Sequence, residues 1–229
     1  NKHLVGGKNS SLGELYNLSQ KINFGIADGF AITTQLYDSF IEQNNLNNFI
    51  IQKLDSIDYS DIRSLDNVSK EIIDKISNSE FSSDQINEIT DNYHKLSNIY
   101  SEKNLSVAIR SSAIAEDLPN ASFAGQQDTF LNVSGTDKLI YYIKLCFASL
   151  FNTRAISYRK TNDIPYDQVK ISVAVQKMIR SDIGSAGVAF SLDPETGYDK
   201  AIVINAAFGL GELVVSGGVK PDEIICHKN

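Results

Sequence analysis

Apolar positions recur at two different spacings along the chain, and these spacings predict where helices and strands form. In the segment 12–22, leucine and isoleucine residues recur every three or four positions, which predicts a helix that begins just after Gly6 and Gly7. Ser11 and Glu14 have the spacing of a capping box, in which two side chains satisfy backbone N–H groups at a helix start. The first part of the chain, residues 1–34, is therefore expected to hold a Gly-Gly-Lys turn followed by a helix.

The second part, residues 35–103, has a helical pattern and is rich in Asn, Ser, Asp, Ile and Lys. Near its end, Ser82 and Gln85 have capping-box spacing. One apolar stripe with spacings of three and four follows them: Ile86, Ile89, Tyr93, Leu96 and Tyr100. A stripe of this kind is typical of a helix that packs one face on the core.

The third part, residues 104–229, mixes strands and helices. The segment 169–176 alternates apolar with polar or small residues, which predicts a strand with two unlike faces. The runs "AGVAFSLDP" and "AIVINAAF" predict two further strands, joined at the turn "DPETGYDK" into a hairpin. One long amphipathic helix is predicted from Thr136 to Lys160. This order lacks the regular alternation of a doubly wound fold and indicates an α+β protein.

Composition narrows the classes of function. The chain has 229 residues, 42% of them hydrophobic, which suffices for one large domain or two lobes. A net charge of −7, without any Lys/Arg block, argues against a broad surface for nucleic acids or anionic membranes.

Cys146 and Cys226 lack metal-ligand spacing and are interpreted as two reduced, buried thiols of a cytoplasmic protein. The most apolar helical run is interrupted by Lys144 and is too short to span a bilayer. Small molecules and other proteins are the expected partners.

The stretch "VAIRSSAIAEDLPNASFAGQQDTFLNV", residues 107–133, carries the clearest chemical signal. It reads as a strand with Arg110, followed by a loop of small residues that includes Gly125 and ends at Thr129. Backbone N–H groups of such a loop can close over phosphates, and the arginine donor fork suits phosphate oxygens. Lys8, at a predicted helix N-terminus, is a second cation for the same ligand. These residues predict a polyphosphate site.

Each of these residues also has a purely structural interpretation. A Gly-Gly-Lys turn often serves only as a helix entry, and Arg110 would be an ordinary salt-bridged residue at a strand end. Gln176 would simply face outward from the polar side of its strand. Spacing within the sequence does not decide between these interpretations and a nucleotide site.

Five blocks resemble the N-terminal nucleotide-binding domain of phosphoenolpyruvate synthases (pyruvate, water dikinases), within the family of pyruvate phosphate dikinases. They are residues 107–133 and the segments "VGGKNSSLGEL", "FASLFNTRAISYR", "VAVQKMIRSDIGSAGVAFSLDPETGY" and "NAAFGLGELVVSGGVKPDE". The resemblance runs through the whole chain, with residues 35–103 the most divergent. Rifampicin phosphotransferases share nearly all these blocks and form the main alternative, and a nucleotide-binding module without catalysis is the other.

The resemblance implies an ATP-grasp fold, in which two lobes with mostly antiparallel sheets and covering helices hold ATP and Mg²⁺. Lys8 and Arg110 would contact the phosphates, with Arg110 also catalytic, while Gly125 and Thr129 would belong to the phosphate loop and Gln176 would lie beside the adenine or ribose. No protein ligand to the metal is expected within these residues.

The complete reaction of that family also needs a phosphohistidine domain and a pyruvate domain. None of the three histidines, His3, His94 and His227, stands in a Thr-x-His context like that of the phosphohistidine. Residues 1–229 are therefore expected to be a fragment of the ATP-binding domain. By itself such a fragment would not complete the conversion of pyruvate, ATP and water to phosphoenolpyruvate, AMP and phosphate.

Overall fold

Helices and two antiparallel sheets make up the protein. The structure is a computed structural model and describes residues 2–22, 24–114 and 128–228. The chain divides into two compact units, Asn1–Met178 and Ile179–Asn229. Because every strand pair in the described residues is antiparallel, the predicted α+β class is confirmed.

Seven of the helices belong to the first unit: α1 Lys2–Ser19, α2 Thr34–Gln43, α3 Leu46–Asp55, α4 Ile62–Ser77, α5 Ser83–Ile99, α6 Thr136–Ala148 and α7 Thr153–Thr161. The same unit has short 3₁₀ turns at Ser149–Phe151 and Tyr166–Gln168. Its sheet contains β1 Gly29–Ile32, β2 Val107–Ala113, β3 Thr129–Val133 and β4 Ile171–Lys177 in the order β1-β4-β2-β3.

Strand β4 is central in this sheet and has the two unlike faces that the sequence predicts. Residues 171–175 are all buried, including Ser172 and Ala174 on the polar and small-residue face. Helices contact both faces, since α6 packs on the strands from one side and α1 from the other. A central strand covered on both faces has no solvent side, so its small polar residues are enclosed as well.

The core of the first unit lies between the sheet and the helices. Strand residues Ile109 and Val175 contribute to it together with Ile143 of α6. Four aromatic rings extend it toward α2, with centroid separations of 4.6–6.0 Å: Tyr37, Phe40, Phe81 and Phe147. Aromatic pairs at such separations stabilise a core beyond their buried area.

Helix α5 has the predicted start and the predicted buried face. Ser82 accepts a hydrogen bond from the Gln85 backbone, and the Gln85 side chain accepts one from the Ser82 backbone, which completes the capping box. Ile89, Tyr93 and Leu96 are buried. The Tyr93 hydroxyl donates to the Leu105 carbonyl at 2.8 Å, so this buried polar group is satisfied.

The prediction of one long helix from Thr136 to Lys160 is wrong in one respect, because the chain forms two helices there. Helix α6 ends at Ala148, a 3₁₀ turn follows, and α7 begins at Thr153. Asn152 caps α7, since its side-chain oxygen accepts a hydrogen bond from the Ala155 backbone at 2.7 Å. An asparagine favours a helix N-cap over a helix interior, and this signal was present in the sequence.

Helix α1 contains a sharp kink at its predicted start. Gly6 has φ 70° and ψ 171°, so the regular part of the helix follows it, as the Gly-Gly pair predicts. Ser11 and Glu14 lie inside this helix, and the capping box expected for them is therefore wrong. At the kink the backbone closely approaches β2, because a Cβ built on Gly6 would lie 2.3 Å from Ser112 Oγ. Only glycine fits this position.

The second unit contains the predicted hairpin. Strands β5 Ser185–Phe190 and β6 Ala201–Phe208 pair antiparallel, with Phe190 opposite Val203, and β7 Asp222–His227 pairs with the other edge of β6. The hairpin turn is held by Asp193, whose carboxylate accepts a hydrogen bond from the Glu195 backbone at 2.9 Å. The short helix α8 Gly211–Val215 packs on β5 and β6.

The two cysteines occupy different environments. Cys146 is buried in α6, and this burial raises the pKa of its thiol well above the usual value. Cys226 is exposed on β7, so the expectation of two buried thiols is wrong for this residue. Among the helices of the described ranges, none combines the length and apolar composition needed to cross a bilayer.

Replacing Gly6 by alanine tests the close approach of α1 to the sheet. We expect Gly6→Ala to lower the free energy of unfolding by about 2–4 kcal/mol, since the new methyl group overlaps Ser112 and the positive φ becomes strained. Gly13→Ala is the matched control, because a Cβ there meets nothing within 4 Å and alanine favours the helix by up to about 1 kcal/mol. Urea denaturation of both variants is the measurement, and equal shifts would contradict the packing described.

Candidate functional site

Lys8 is placed by the kink in α1. Gly6 and Gly7 are buried against the sheet, and Lys8 follows them as an exposed residue in the first turn of the regular helix. The backbone N–H groups of a first helical turn lack intrahelical acceptors and give that end a partial positive charge. The lysine and the helix end therefore present positive charge at the same place.

Asn9 fixes this helix end to the sheet through two hydrogen bonds, and a third hydrogen bond extends the network to β1. Its backbone N–H donates to Ser112 Oγ on β2 at 3.3 Å, and its Nδ2 donates to Ser172 Oγ on β4 at 3.0 Å. Ser172 Oγ in turn donates to the Ile32 carbonyl on β1 at 2.6 Å. The sequence analysis missed this network, although Asn9 directly follows Lys8 and Ser172 lies on the strand side expected to be polar.

Arg110 is the exposed residue of an otherwise buried strand. The other six residues of β2 are buried, whereas Arg110 is open to solvent. Thr129 at the start of β3 lies directly opposite Arg110, and Ala174 of β4 lies opposite it on the other side. Residues directly opposite one another share a face of the sheet, so the guanidinium group has a hydroxyl-bearing residue on one side and a small residue on the other.

The register places the predicted site residues on one face of the sheet. Ser112, two residues beyond Arg110, is opposite Ser172, and Ala108, two residues before it, is opposite Gln176. Side chains two apart along a strand point to the same side. This face therefore brings together Arg110, Thr129 and Gln176 from β2, β3 and β4, and the helix that contains Lys8 packs on it at Ser112.

Gln176 lies at one end of this face and lines a cavity of about 580 Å³ within the first unit. Its Nε2 donates to the Ala27 carbonyl at 3.1 Å, which holds the amide in place. Leu12 and Tyr16 of α1 and Leu96 of α5 form apolar walls of the same cavity. A largely apolar cavity with a few fixed polar groups is typical of a site for a small organic molecule.

A carboxylate is held rigidly at the edge of this cavity. Asp28, which lines it, accepts a hydrogen bond from the Tyr100 hydroxyl. This hydrogen bond raises the pKa of Tyr100 to about 12, so the phenol stays protonated and continues to donate at neutral pH. The Lys177 ammonium group lies over the Tyr100 ring, 4.2 Å from its centroid. Asp28 is a further polar group of the site that the sequence analysis did not identify.

Gly125 lies outside the described residues, as does most of the predicted phosphate loop. Both ends of the loop are described. The Ile114 backbone donates to the Lys170 carbonyl at 3.0 Å, and Ser111 Oγ donates to the Asp128 carbonyl at 3.3 Å. Burial raises the pKa of the Asp128 carboxyl. The loop therefore leaves and rejoins the sheet on the two strands that carry Arg110 and Thr129.

The described part of the site is cationic and rich in hydroxyl groups. Arg110 lies on the same sheet face as Thr129, and Lys8 belongs to the helix that packs on this face; cations of this kind suit an anion with several oxygen atoms. Within residues 2–22, 24–114 and 128–228, no group of three or more His, Cys, Asp or Glu residues is placed to hold a metal ion. The arrangement can bind a negatively charged ligand beside an apolar cavity.

Curated proteins are similar to this chain over nearly its whole length. The curated relatives include the phosphoenolpyruvate synthase of Helicobacter pylori, which is 50% identical over 228 residues, covering 100% of this chain and 28% of the relative. The Aquifex aeolicus and Escherichia coli phosphoenolpyruvate synthases are 46% and 45% identical over 98% of the chain, which covers 26% and 28% of their lengths. The chain thus spans little more than a quarter of these relatives.

A family match covers nearly the whole chain. Residues 2–229 match the family described as "Pyruvate phosphate dikinase, AMP/ATP-binding domain". The match includes both compact units, the sheet face that carries Arg110, Thr129 and Gln176, and the helix that contains Lys8. The chain belongs to the family of pyruvate phosphate dikinase AMP/ATP-binding domains.

Proposed function

We propose that this chain is the ATP-binding portion of a phosphoenolpyruvate synthase and that it binds Mg·ATP beside the face of its four-stranded sheet that carries Arg110. The observation that supports the proposal is that Arg110 and Thr129 lie opposite one another on one sheet face, on which the helix that contains Lys8 packs. The family to which the chain belongs supports a nucleotide as the ligand.

The phosphates are expected to bind at the cationic end of the face. Arg110 offers a planar fork of N–H donors that matches two phosphate oxygens at once, and Lys8 adds a point charge beside the helix N-terminus. The loop that carries Gly125 would close over the phosphates with its backbone N–H groups. Fixed donors of this kind stabilise the charge that develops during phosphoryl transfer, which is the catalytic role proposed for Arg110.

The nucleoside is expected to occupy the cavity at the other end of the face. Its volume of about 580 Å³ lies within the usual range for metabolite sites. Gln176 holds its amide toward Ala27, and its side-chain oxygen is an acceptor for the adenine amino group or a ribose hydroxyl. The aromatic ring of Tyr16 and the side chain of Leu12 would provide apolar contacts for the base.

Magnesium enters this proposal as part of the substrate, Mg·ATP. Mg²⁺ is usually held by one or two carboxylates together with substrate phosphates and water. The described residues around Arg110 supply cations and hydroxyl groups, so they fit the phosphates and do not form a metal-binding set of their own. The residues named here bind and orient the phosphates.

The acceptor of the phosphoryl group is proposed to be a catalytic histidine on a separate domain. The complete reaction would convert pyruvate, ATP and water to phosphoenolpyruvate, AMP and phosphate. Relatives named phosphoenolpyruvate synthase, 40–50% identical over nearly the whole chain, support pyruvate as the final acceptor over the antibiotic of a rifampicin phosphotransferase. The phosphohistidine and pyruvate domains would be the partners, and the cytoplasm would be the location.

The reaction can be tested on the intact protein that contains this chain. With pyruvate and Mg·ATP, we expect equal amounts of phosphoenolpyruvate, AMP and phosphate, measured by ³¹P NMR. A rifamycin that replaced pyruvate as the acceptor would contradict the proposed substrate. Binding of ATP without turnover of either acceptor would identify a nucleotide-binding module without catalysis.

Arg110→Ala separates the phosphate role from the nucleoside role. We expect the affinity of the intact protein for Mg·ATP to fall about 10- to 100-fold, because a charge-assisted contact contributes roughly 1.5–3 kcal/mol. Affinity for adenosine should stay within about twofold, since that ligand carries no phosphate. Isothermal titration measures both, with the exposed Arg63→Ala on α4 as the matched control. Equal losses for the two ligands would contradict a phosphate contact.

Gln176→Ala should weaken the binding of both ligands equally, unlike Arg110→Ala. Affinities for Mg·ATP and adenosine should both fall about fivefold, because one hydrogen bond contributes about 1 kcal/mol and the cavity serves the part that the ligands share. Gln168→Ala, at an exposed position, is the control. If only Mg·ATP binding changes in the same titrations, the cavity does not hold the nucleoside.

A further inference from the structure

A second cavity, of about 530 Å³, lies in the first unit and is built from elements that the nucleotide site does not use. The end of α3 and the loop after it form one wall, which includes Tyr59. Helix α7 forms another with Arg159 and Lys160, and the connection from α7 to β4 completes it with Asp163 and Tyr166. Its size is that of a small-molecule site.

Arg159 is a buried cation in the wall of this cavity. The residue is 4% exposed, its Nη1 donates to the Leu150 carbonyl, and its guanidinium lies 5.4 Å from the centroid of the Phe151 ring. Its Nη2, although buried, has no hydrogen-bond partner among the described residues. A buried donor without an acceptor, on a charged group, is costly to the folded state.

The side chains around Arg159 do not neutralise it. In the described ranges no carboxylate lies within ion-pair distance of its guanidinium. Its aromatic neighbours Tyr37, Tyr59 and Tyr166 are phenols whose pKa values are raised, mainly by burial, to about 12 for Tyr166. These phenols stay neutral at physiological pH. The positive charge is therefore uncompensated and adjoins a cavity that can admit an anion.

The remaining groups of the cavity limit the charge of that anion. Lys160, whose ammonium group lies 5.2 Å from the centroid of the Tyr59 ring, adds a second cation. Asp55 and Asp163 also line the cavity and would repel a highly charged ligand such as a polyphosphate. Apolar side chains supply the rest of the wall, among them Ile57, Ile156 and Ile164.

We propose that this cavity is a binding site for a small monocarboxylate. The carboxylate lies against the Arg159 guanidinium group and near the ammonium group of Lys160, while the aliphatic part of the ligand contacts the isoleucine side chains. A single negative charge is attracted by these two cations without strong repulsion from Asp55 and Asp163. The site is separate from the sheet face that carries Arg110, and the proposal does not depend on the function of that face.

The first experiment compares anions on the intact protein without nucleotide. Sodium butyrate, sodium phosphate and sodium chloride are titrated at equal ionic strength, and binding is followed by protein-observed NMR. We expect butyrate to bind with saturation, and to bind more tightly than acetate because its longer chain buries more apolar surface. Saturable binding of phosphate equal to that of butyrate, or absence of saturable butyrate binding, would overturn the proposal.

Two substitutions that leave Arg159 in place identify the binding cavity. Lys160→Gln should weaken butyrate binding at least about threefold, whereas Asp163→Asn should strengthen it by about two- to fivefold, because the first removes an attractive and the second a repulsive charge. Asparagine also tolerates the positive φ of residue 163. The exposed Lys138→Gln on α6 is the control for lost surface charge. Identical effects of Lys160→Gln and Lys138→Gln would overturn the assignment of the site.

Discussion

The arrangement of the first unit depends on the contact between the kink of α1 and strand β2. A side chain larger than hydrogen at Gly6 would overlap Ser112, so the backbone of α1 can reach the sheet only there and only with glycine. Once the helix is at this distance, Asn9 reaches Ser112 and Ser172, and Ser172 reaches β1. A steric constraint at one residue thus allows a polar network that joins a helix to three strands.

The same constraint explains why the sheet face under α1 differs from the face under α6. The α6 side holds large apolar residues such as Ile109 and Val175 and belongs to the core. The α1 side holds Ser172, Ala174 and other small or polar residues, which leave space for a ligand beside Arg110. Both faces of β4 are buried, yet they are chemically distinct. Burial alone therefore does not identify the face that carries the chemistry.

Two arginines in this unit show how local surroundings decide what a guanidinium group can do. Arg110 is exposed on an otherwise buried strand, and solvent stabilises its charge until a ligand binds. Arg159 is buried, and burial lowers its pKa to about 10 while leaving it protonated at neutral pH. For Arg159 the cost of desolvation has already been met in the folded protein. An anion that lies against this guanidinium group therefore gains a strong interaction, because the cation does not have to be desolvated again on binding.

The sequence by itself determined the features that arise from neighbouring residues. The capping box and buried stripe of α5, the hairpin of β5 and β6 and the α+β class follow from caps, periods and turns, whose interactions act within a few residues. Lys8, Arg110, Thr129 and Gln176 were also identified from their motifs. The break between α6 and α7 also had a local signal in the Asn152 N-cap, which the sequence analysis did not use. Tertiary structure decided that Arg110, Thr129 and Gln176 share a face and that β4 is enclosed on both sides. It also revealed the roles of Asn9, Asp28 and Arg159. The shared face and the hydrogen bonds of Asn9 depend on strand register and on contacts between residues more than a hundred positions apart, and no local pattern in the sequence encodes such distances.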